Sequence, residues 1–182
     1  MLAEIEDALV ARIKTLQYVR AVESYGGQLD DETFEVLRVV PAIWVTFGGS
    51  SKPEQSGPKK FLTPATFVVM CAARSVRNER STRHGGPGNE VGVYQMLEDV
   101  RQLLLMQDLG LAIDHFRPGA VRTLYNTRLR GSALAVFAQE WHTKYVEKPP
   151  TDGWQFQSVD LQYRLKPGDD KTDANDVVIL PT

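Results

Sequence analysis

"FLTPATFVVMCAARSVRNERSTRHGGPGNEVGVYQMLEDVRQLL", residues 61–104, carries the reading that decides the fold. Its first fifteen residues are rich in β-branched and aromatic side chains, which fit a pleated, half-buried surface, and predict a long strand over 61–75. Pro64 cannot donate to a ladder, so it belongs near the start of that strand or at an edge. Beyond the glycines, Val93, Leu97, Val100 and Leu104 recur at helical spacing, with Tyr94, Met96, Leu103 and Leu105 widening the apolar face. A core strand leading into an amphipathic helix indicates an α+β protein.

The join, "STRHGGPGNEVG" at 81–92, raises the question of a phosphate cradle, because glycines ahead of a helix expose N–H groups to an anion. A phosphate loop of the Gly-x-x-x-x-Gly-Lys type needs a lysine for the terminal phosphates and a hydroxyl for magnesium. Neither is present, and Glu90 places a negative charge where the phosphate would sit. The dinucleotide spacing fails as well, since Gly92 follows Gly86 and Gly88 one residue late. A strand-to-helix connection with Asn89 as N-cap is expected instead.

Working outward, Leu2, Ile5, Leu9, Ile13 and Leu16 form the stripe of a first helix of about four turns. "YVRAVESYGG" predicts a short strand stopped by Gly26 and Gly27. "LDDETFEVLRVV" predicts a helical turn capped by Asp30 or Asp31 and ended by Pro41. "AIWVTFGG" predicts a buried strand, joined to the 61–75 strand as an antiparallel hairpin with a long polar tip. The second helix should stop near "QDLGL" with Gly110 as C-cap, and "AVRTLYNTRLRG" with "LAVFAQEWHTKYVE" should form a strand pair turned at Gly131 and Ser132. Phe137, Trp141 and Tyr145 alternate onto one strand face as core or interface anchors.

The 182 residues, 42% apolar and 24% charged, suit an ordinary globular chain. No apolar run approaches the roughly 20 residues that cross a bilayer, and "MLAEIEDALV" has acids where a signal peptide needs bases, so a cytoplasmic protein without a membrane partner is expected. A single cysteine, Cys71, excludes an intrachain disulfide and is expected as a buried structural thiol. Net charge is −5 over residues 1–35, +6 over 36–146 and −3 over 147–182. Such segregation fits acidic and basic surfaces meeting across a subunit contact, or simply solvated faces.

No catalytic signature emerges. His84, His115 and His142 lack metal-ligand spacing, and neither a metal nor a cofactor is expected. Ser56 and Lys59 match a Ser-x-x-Lys spacing, but among prolines and glycines rather than at a helix start. "DDKTDAND", 169–176, lacks the glycine and closing glutamate of a calcium loop. The residues that point to a partner are cations: Arg74, Arg77, Arg80 and Arg83 at a spacing of three, and Lys52, Lys59 and Lys60 in the polar tip. The arginines could meet nucleic-acid phosphates, an acidic subunit face or only water; no interleaved aromatic offers base stacking.

Taken together, "MLAEIEDALVARI", "VESYGG", "PAIWVTFGG" and "CAARSVRNERSTRHGG" leading into "GVYQMLEDVRQLL" resemble the small proteins of Mu-like prophages encoded among tail structural genes, a family similar to phage tail terminators. The resemblance covers most of residues 1–146. It implies an α+β domain over 1–148, a mixed or antiparallel sheet with two main helices packed on it. The acidic extension over 149–182, with "SVDLQYRL" and "VVIL", has too few apolar residues for a core of its own and is expected either to add short edge strands to the domain or to reach onto a neighbouring subunit by strand addition. The resemblance also implies a non-enzymatic homo-oligomer, a hexameric ring that caps the tail tube and meets the head connector, made in the host cytoplasm and carried in the virion tail. DNA would only pass through the lumen. The competing class is a nucleic-acid-binding module using the basic middle of the chain.

Overall fold

The computed structural model describes residues 1–29, 37–87, 90–129, 132–149, 158–163 and 174–179. The chain divides into two compact units, Met1–Lys148 and Pro149–Thr182. In the first, the elements are α1 (Leu2–Ile13), β1 (Ala21–Ser24), β2 (Ala42–Gly49), β3 (Glu54–Gly57), β4 (Lys60–Ser75), α2 (Glu79–His84), α3 (Val93–Leu104), β5 (Arg117–Leu129) and β6 (Ser132–Glu147). The second holds β7 (Ser158–Tyr163) and β8 (Ala174–Ile179).

The six-stranded sheet runs β1-β2-β4-β6-β5, with β3 paired to β4 off this path. β1 and β2 are parallel and every other pair is antiparallel, so the sheet is mixed. The fold is α+β, as the sequence indicates.

Strand alternation sorts the core into two layers. Odd-numbered Ile43, Val45, Phe67, Val69, Cys71, Ala73, Ala135, Trp141 and Tyr145 pack with Ile5, Leu9 and Ile13 of α1 and Val93, Met96, Val100 and Leu104 of α3. Even-numbered Trp44, Met70, Ala72, Leu134, Val136 and Ala138 form a second cluster on the opposite face, closed by Leu29, Leu37 and Val40 from the crossover between β1 and β2. The inner half of β4 is therefore buried on both faces. That is why its sequence is continuously apolar rather than alternating.

Pro64 lies inside central β4, yet at a break in the outer ladder. β2 pairs as far as Thr66 and β3 begins at Leu62, and the Pro64 carbonyl accepts from Ser50 Oγ at 2.5 Å. The missing N–H costs no ladder bond there.

Several boundaries differ from the sequence expectation. α1 ends at Ile13, three turns rather than four, while Leu16 still packs on the core from the following turn. α3 ends at Leu104, not near Gly110. Past it Met106 and Leu109 take left-handed φ of 57° and 56°, and Met106 N–H donates to Phe116 O while Phe116 N–H donates to Gln107 O. That clamp turns the chain before the glycine is reached. Tyr94 and Leu105, expected on the apolar face of α3, are exposed.

The polar tip carries β3, which folds back on β4 through Glu54↔Leu62. Ser132 opens β6, paired with Leu129, instead of turning; Gly131 lies outside the described residues. Residues 37–39 are helical, and the expected caps Asp30 and Asp31 lie outside the described residues. β7 and β8 pair with each other in a two-stranded sheet of their own.

Candidate interaction surfaces

The stretch between β4 and α3 is more ordered than a hinge. α2 interrupts it because Asn78, extended at φ −165°, accepts Ser81 N–H on its side-chain oxygen at 2.8 Å. Glu79 in the first turn and Arg83 and His84 in the last complement the helix dipole. Gly85, at φ +85°, stops the helix, and Gly92 packs so tightly against it that a Cβ would fall 2.2 Å from Gly85 N.

Gly92, not Asn89, is the N-cap of α3; Asn89 lies outside the described residues. Two of the loop's glycine N–H groups are turned inward: Gly86 N–H donates to Glu90 O at 2.9 Å and Gly85 N–H to Ser81 O. These donors are committed within the segment rather than presented to an anion.

Of the four arginines, Arg74 lies at the end of β4, Arg77 in the connection, and Arg80 and Arg83 on α2. Arg74, Arg77 and Arg80 are exposed and Arg83 half-buried, and none forms a salt bridge with a described acid. Beside them Arg74 joins Arg20, Tyr18, Val76, Glu90 and Val91 around a cavity of about 370 Å³. Tyr18 donates to Asp99 Oδ2 at 2.5 Å, tying the α1–β1 connection to α3. Burial, and then this bond, push the Tyr18 phenol far above its ordinary value.

The lysines occupy the other end of the sheet. Lys52 precedes β3, Lys59 turns the chain and Lys60 opens β4. From Lys60 to Arg74 a strand advances roughly 45 Å at about 3.3 Å per residue. The structure therefore splits the predicted cations into two separate patches.

The lysine end also holds a group of residues that the sequence reading passed over. His115, Arg117, His142 and Lys144 share a cavity of about 430 Å³ with Glu54 and Asp114. His142 Nδ1 lies 2.9 Å from Thr66 Oγ1, and Lys144 Nζ lies 3.9 Å from Glu54. The signal was the β5–β6 hairpin itself, whose register places Arg117 opposite His142. Among the described residues no group of three or more His, Cys, Asp or Glu is arranged to hold a metal. Ser56 sits in β3, not at a helix start. His84 instead packs edge-to-face on Tyr94, at 5.2 Å between ring centroids.

Cys71 is fully buried, and desolvation pushes its thiol well above the ordinary value. It is a packing residue. Trp141 and Tyr145 are core members, with Phe137 packed partly against them. Of the calcium-like stretch, residues 169–173 lie outside the described residues and Asp176 stands in β8.

Against known families, the model described as Bacteriophage Mu, Gp37 matches residues 1–146. The chain belongs to the bacteriophage Mu Gp37 family. The Gp37 match ends one residue short of the end of β6, so it takes in all of the six-stranded sheet but that last residue and leaves β7 and β8 outside. Membership marks a phage structural, tail-related protein of a virion-associated kind, from a structural-type family not known as enzymatic. No curated protein matches the chain. No described helix is long and apolar enough to cross a membrane.

Proposed function

We propose that this Gp37-family protein is a tail terminator: a subunit that closes into a hexameric ring on the end of the tail tube, stops its growth and offers its other side to the head connector. The observation that carries the reading is the separation of two cationic patches by the length of β4, within the unit that the Gp37 family model covers. A subunit placed between two partners needs two distinct surfaces, one at each end. A ring is the assembly that fits a capping role, because a heterologous interface that closes cannot propagate into a filament.

In this reading the arginine end, Arg74, Arg77, Arg80 and Arg83, meets the tube or lines the lumen through which DNA passes. The lysine end, Lys52, Lys59 and Lys60 with the histidine cavity, meets the connector. α2 and the Gly85–Gly92 contact hold three of the arginines on a short helix or beside it. Their charges are thus displayed from a defined base instead of a free loop.

The test is a complementation assay with Arg77, Arg80 and Arg83 changed to Glu. Tails of uncontrolled length, or loss of binding to purified tube protein, are the expected result; wild-type tail length and tube binding would overturn the assignment. The arginines, which form no salt bridge with a described acid, also support a second reading, a nucleic-acid-binding module. Duplex-DNA affinity that falls steeply with salt and disappears in the same triple variant would favour it, since phosphate contacts release counterions.

A further inference from the structure

β5 is a thirteen-residue strand, bonded to β6 on one side and ending the sheet on the other. An edge of this length presents a row of N–H and C=O groups ready to pair with another strand, and proteins usually blunt such edges. Pro118 and two register shifts disturb the ladder of β5 toward β6. Yet Val121, Leu124 and Tyr125 leave it adhesive, each 43–45% exposed. Val121 also borders a shallow groove with Tyr94, Leu97 and Arg101 of α3.

The second unit supplies a matching element. A two-stranded sheet is marginally stable alone in water. Leu161 of β7 and Val177 and Val178 of β8 are 41–52% exposed. In a hairpin each strand keeps one open edge, and β8 carries Val177, Val178 and Ile179 in succession, residues with high strand propensity. The charges are complementary: β5 contains Arg117, Arg122 and Arg128 and no acid, with Arg122 already 3.5 Å from Glu140 of β6, whereas β7 and β8 contain Asp160 and Asp176 and no base.

We propose that β8 of one copy adds to the β5 edge of a second copy, so that the C-terminal hairpin of each subunit extends the sheet of its neighbour. Main-chain hydrogen bonds would supply the affinity, and the apolar and charged side chains the register. The contact is head-to-tail, the kind that closes into a ring. It deepens the ring reading by naming the subunit contact, but it stands or falls on a different measurement.

The experiment uses the full-length chain in two single variants, Thr123→Cys in β5 and Val178→Cys in β8, both at exposed positions. The unmodified chain, whose one thiol is the buried Cys71, is the control for background reaction. The two variants are mixed across a concentration series and treated with a short bismaleimide. A covalent heterodimer is expected, growing with protein concentration and reduced by salt, with circular dichroism of each variant unchanged. Absence of the heterodimer at every concentration would overturn the proposal, as would a Thr123→Cys/Val178→Cys double variant that cross-links only within one chain. If light scattering shows a closed oligomer without this cross-link, the ring survives and the strand exchange does not. If the cross-link forms while tail length ignores the arginine triple variant, the strand exchange survives and the terminator assignment does not.

Discussion

At the scale of single residues, Tyr18 is the point where packing and titration meet. Its hydroxyl donates to Asp99 and its phenol is held neutral by burial and by that carboxylate, so its value in the folded chain lies above the ordinary 10.0. A group raised on folding contributes stability fully below its unfolded value. That contribution is lost as pH climbs past 10, because the unfolded chain can then release the proton and the folded chain cannot. Tyr18→Phe should cost about 1.5–3 kcal/mol near neutral pH, the worth of a hydrogen bond to a carboxylate, and should flatten the alkaline decline. Denaturant unfolding on either side of pH 10 checks both parts, and an unchanged alkaline slope would count against the role given to Tyr18. Cys71 acts in the same direction but remains in the variant, which isolates the phenol. A second residue invites the opposite result. Gln139 lies on the helix-side face of β6, 1% exposed, with its Oε1 lacking a partner among the described residues. Replacing a buried unpaired polar group by an apolar one of similar size removes a desolvation cost of roughly 1–3 kcal/mol, so Gln139→Met should raise the melting temperature. A lower melting temperature would mean that Gln139 is satisfied by water.

At the scale of elements, the short α2 depends on its ends. A six-residue helix has little propagation to offset nucleation, so the Asn78 cap and the Gly85 stop carry much of its definition. Asn78→Ala should cost about 1 kcal/mol and speed amide exchange at Ser81, whereas Asn78→Asp should preserve both. Gly92→Ala should be worse, about 1–3 kcal/mol, because its Cβ would meet backbone atoms of Arg83 and Gly85 that cannot swing aside. Calorimetry of the three variants gives the order; a neutral Gly92→Ala would show that the contact relaxes freely. These same elements mark where sequence stops short of structure. α1, α3, β2, β4 and the β5–β6 hairpin were legible because their apolar periodicity records which face is buried. α2 was not, since "ERSTRH" is shorter than two turns and polar all round, and its existence rests on the cap and on Thr82 donating to Ala133 O across the sheet. β3, "EQSG", has no strand propensity to read, and forms because the chain doubles back on β4. That β6 rather than β5 lies inside the sheet can be argued only from consecutive apolar residues Leu134–Ala138, which satisfy both faces at once. The arginine and lysine residues were visible in the sequence, and the strand expected over 61–75 already held them at opposite ends; what was not visible is the short helix α2 that carries Arg80 and Arg83.

For the whole molecule, the distance between the arginine and lysine patches decides how the surfaces combine. Arg77, Arg80 and Arg83 lie beyond one end of β4, and Lys52, Lys59 and Lys60 lie at the other, roughly 45 Å away at the rise of a strand. The Debye length at physiological ionic strength is only about 8 Å, so neither patch contributes appreciable field at the other. Charge reversal at one end should therefore leave the binding partner of the opposite end undisturbed. Sites this far apart, with no shared contacts, are expected to add within about 0.3–0.5 kcal/mol. The prediction is a double-variant cycle on assembly. The arginine triple variant should weaken binding to tube, the lysine triple variant (Lys52, Lys59 and Lys60 to Glu) should weaken binding to the connector, and the combined chain should show each loss at its single-variant size. Titration calorimetry with each purified partner measures the four corners of the cycle. A coupling energy above about 1 kcal/mol would mean that both patches meet one partner. In that case the two-ended subunit, and with it the argument for a ring placed between tube and connector, would have to be abandoned.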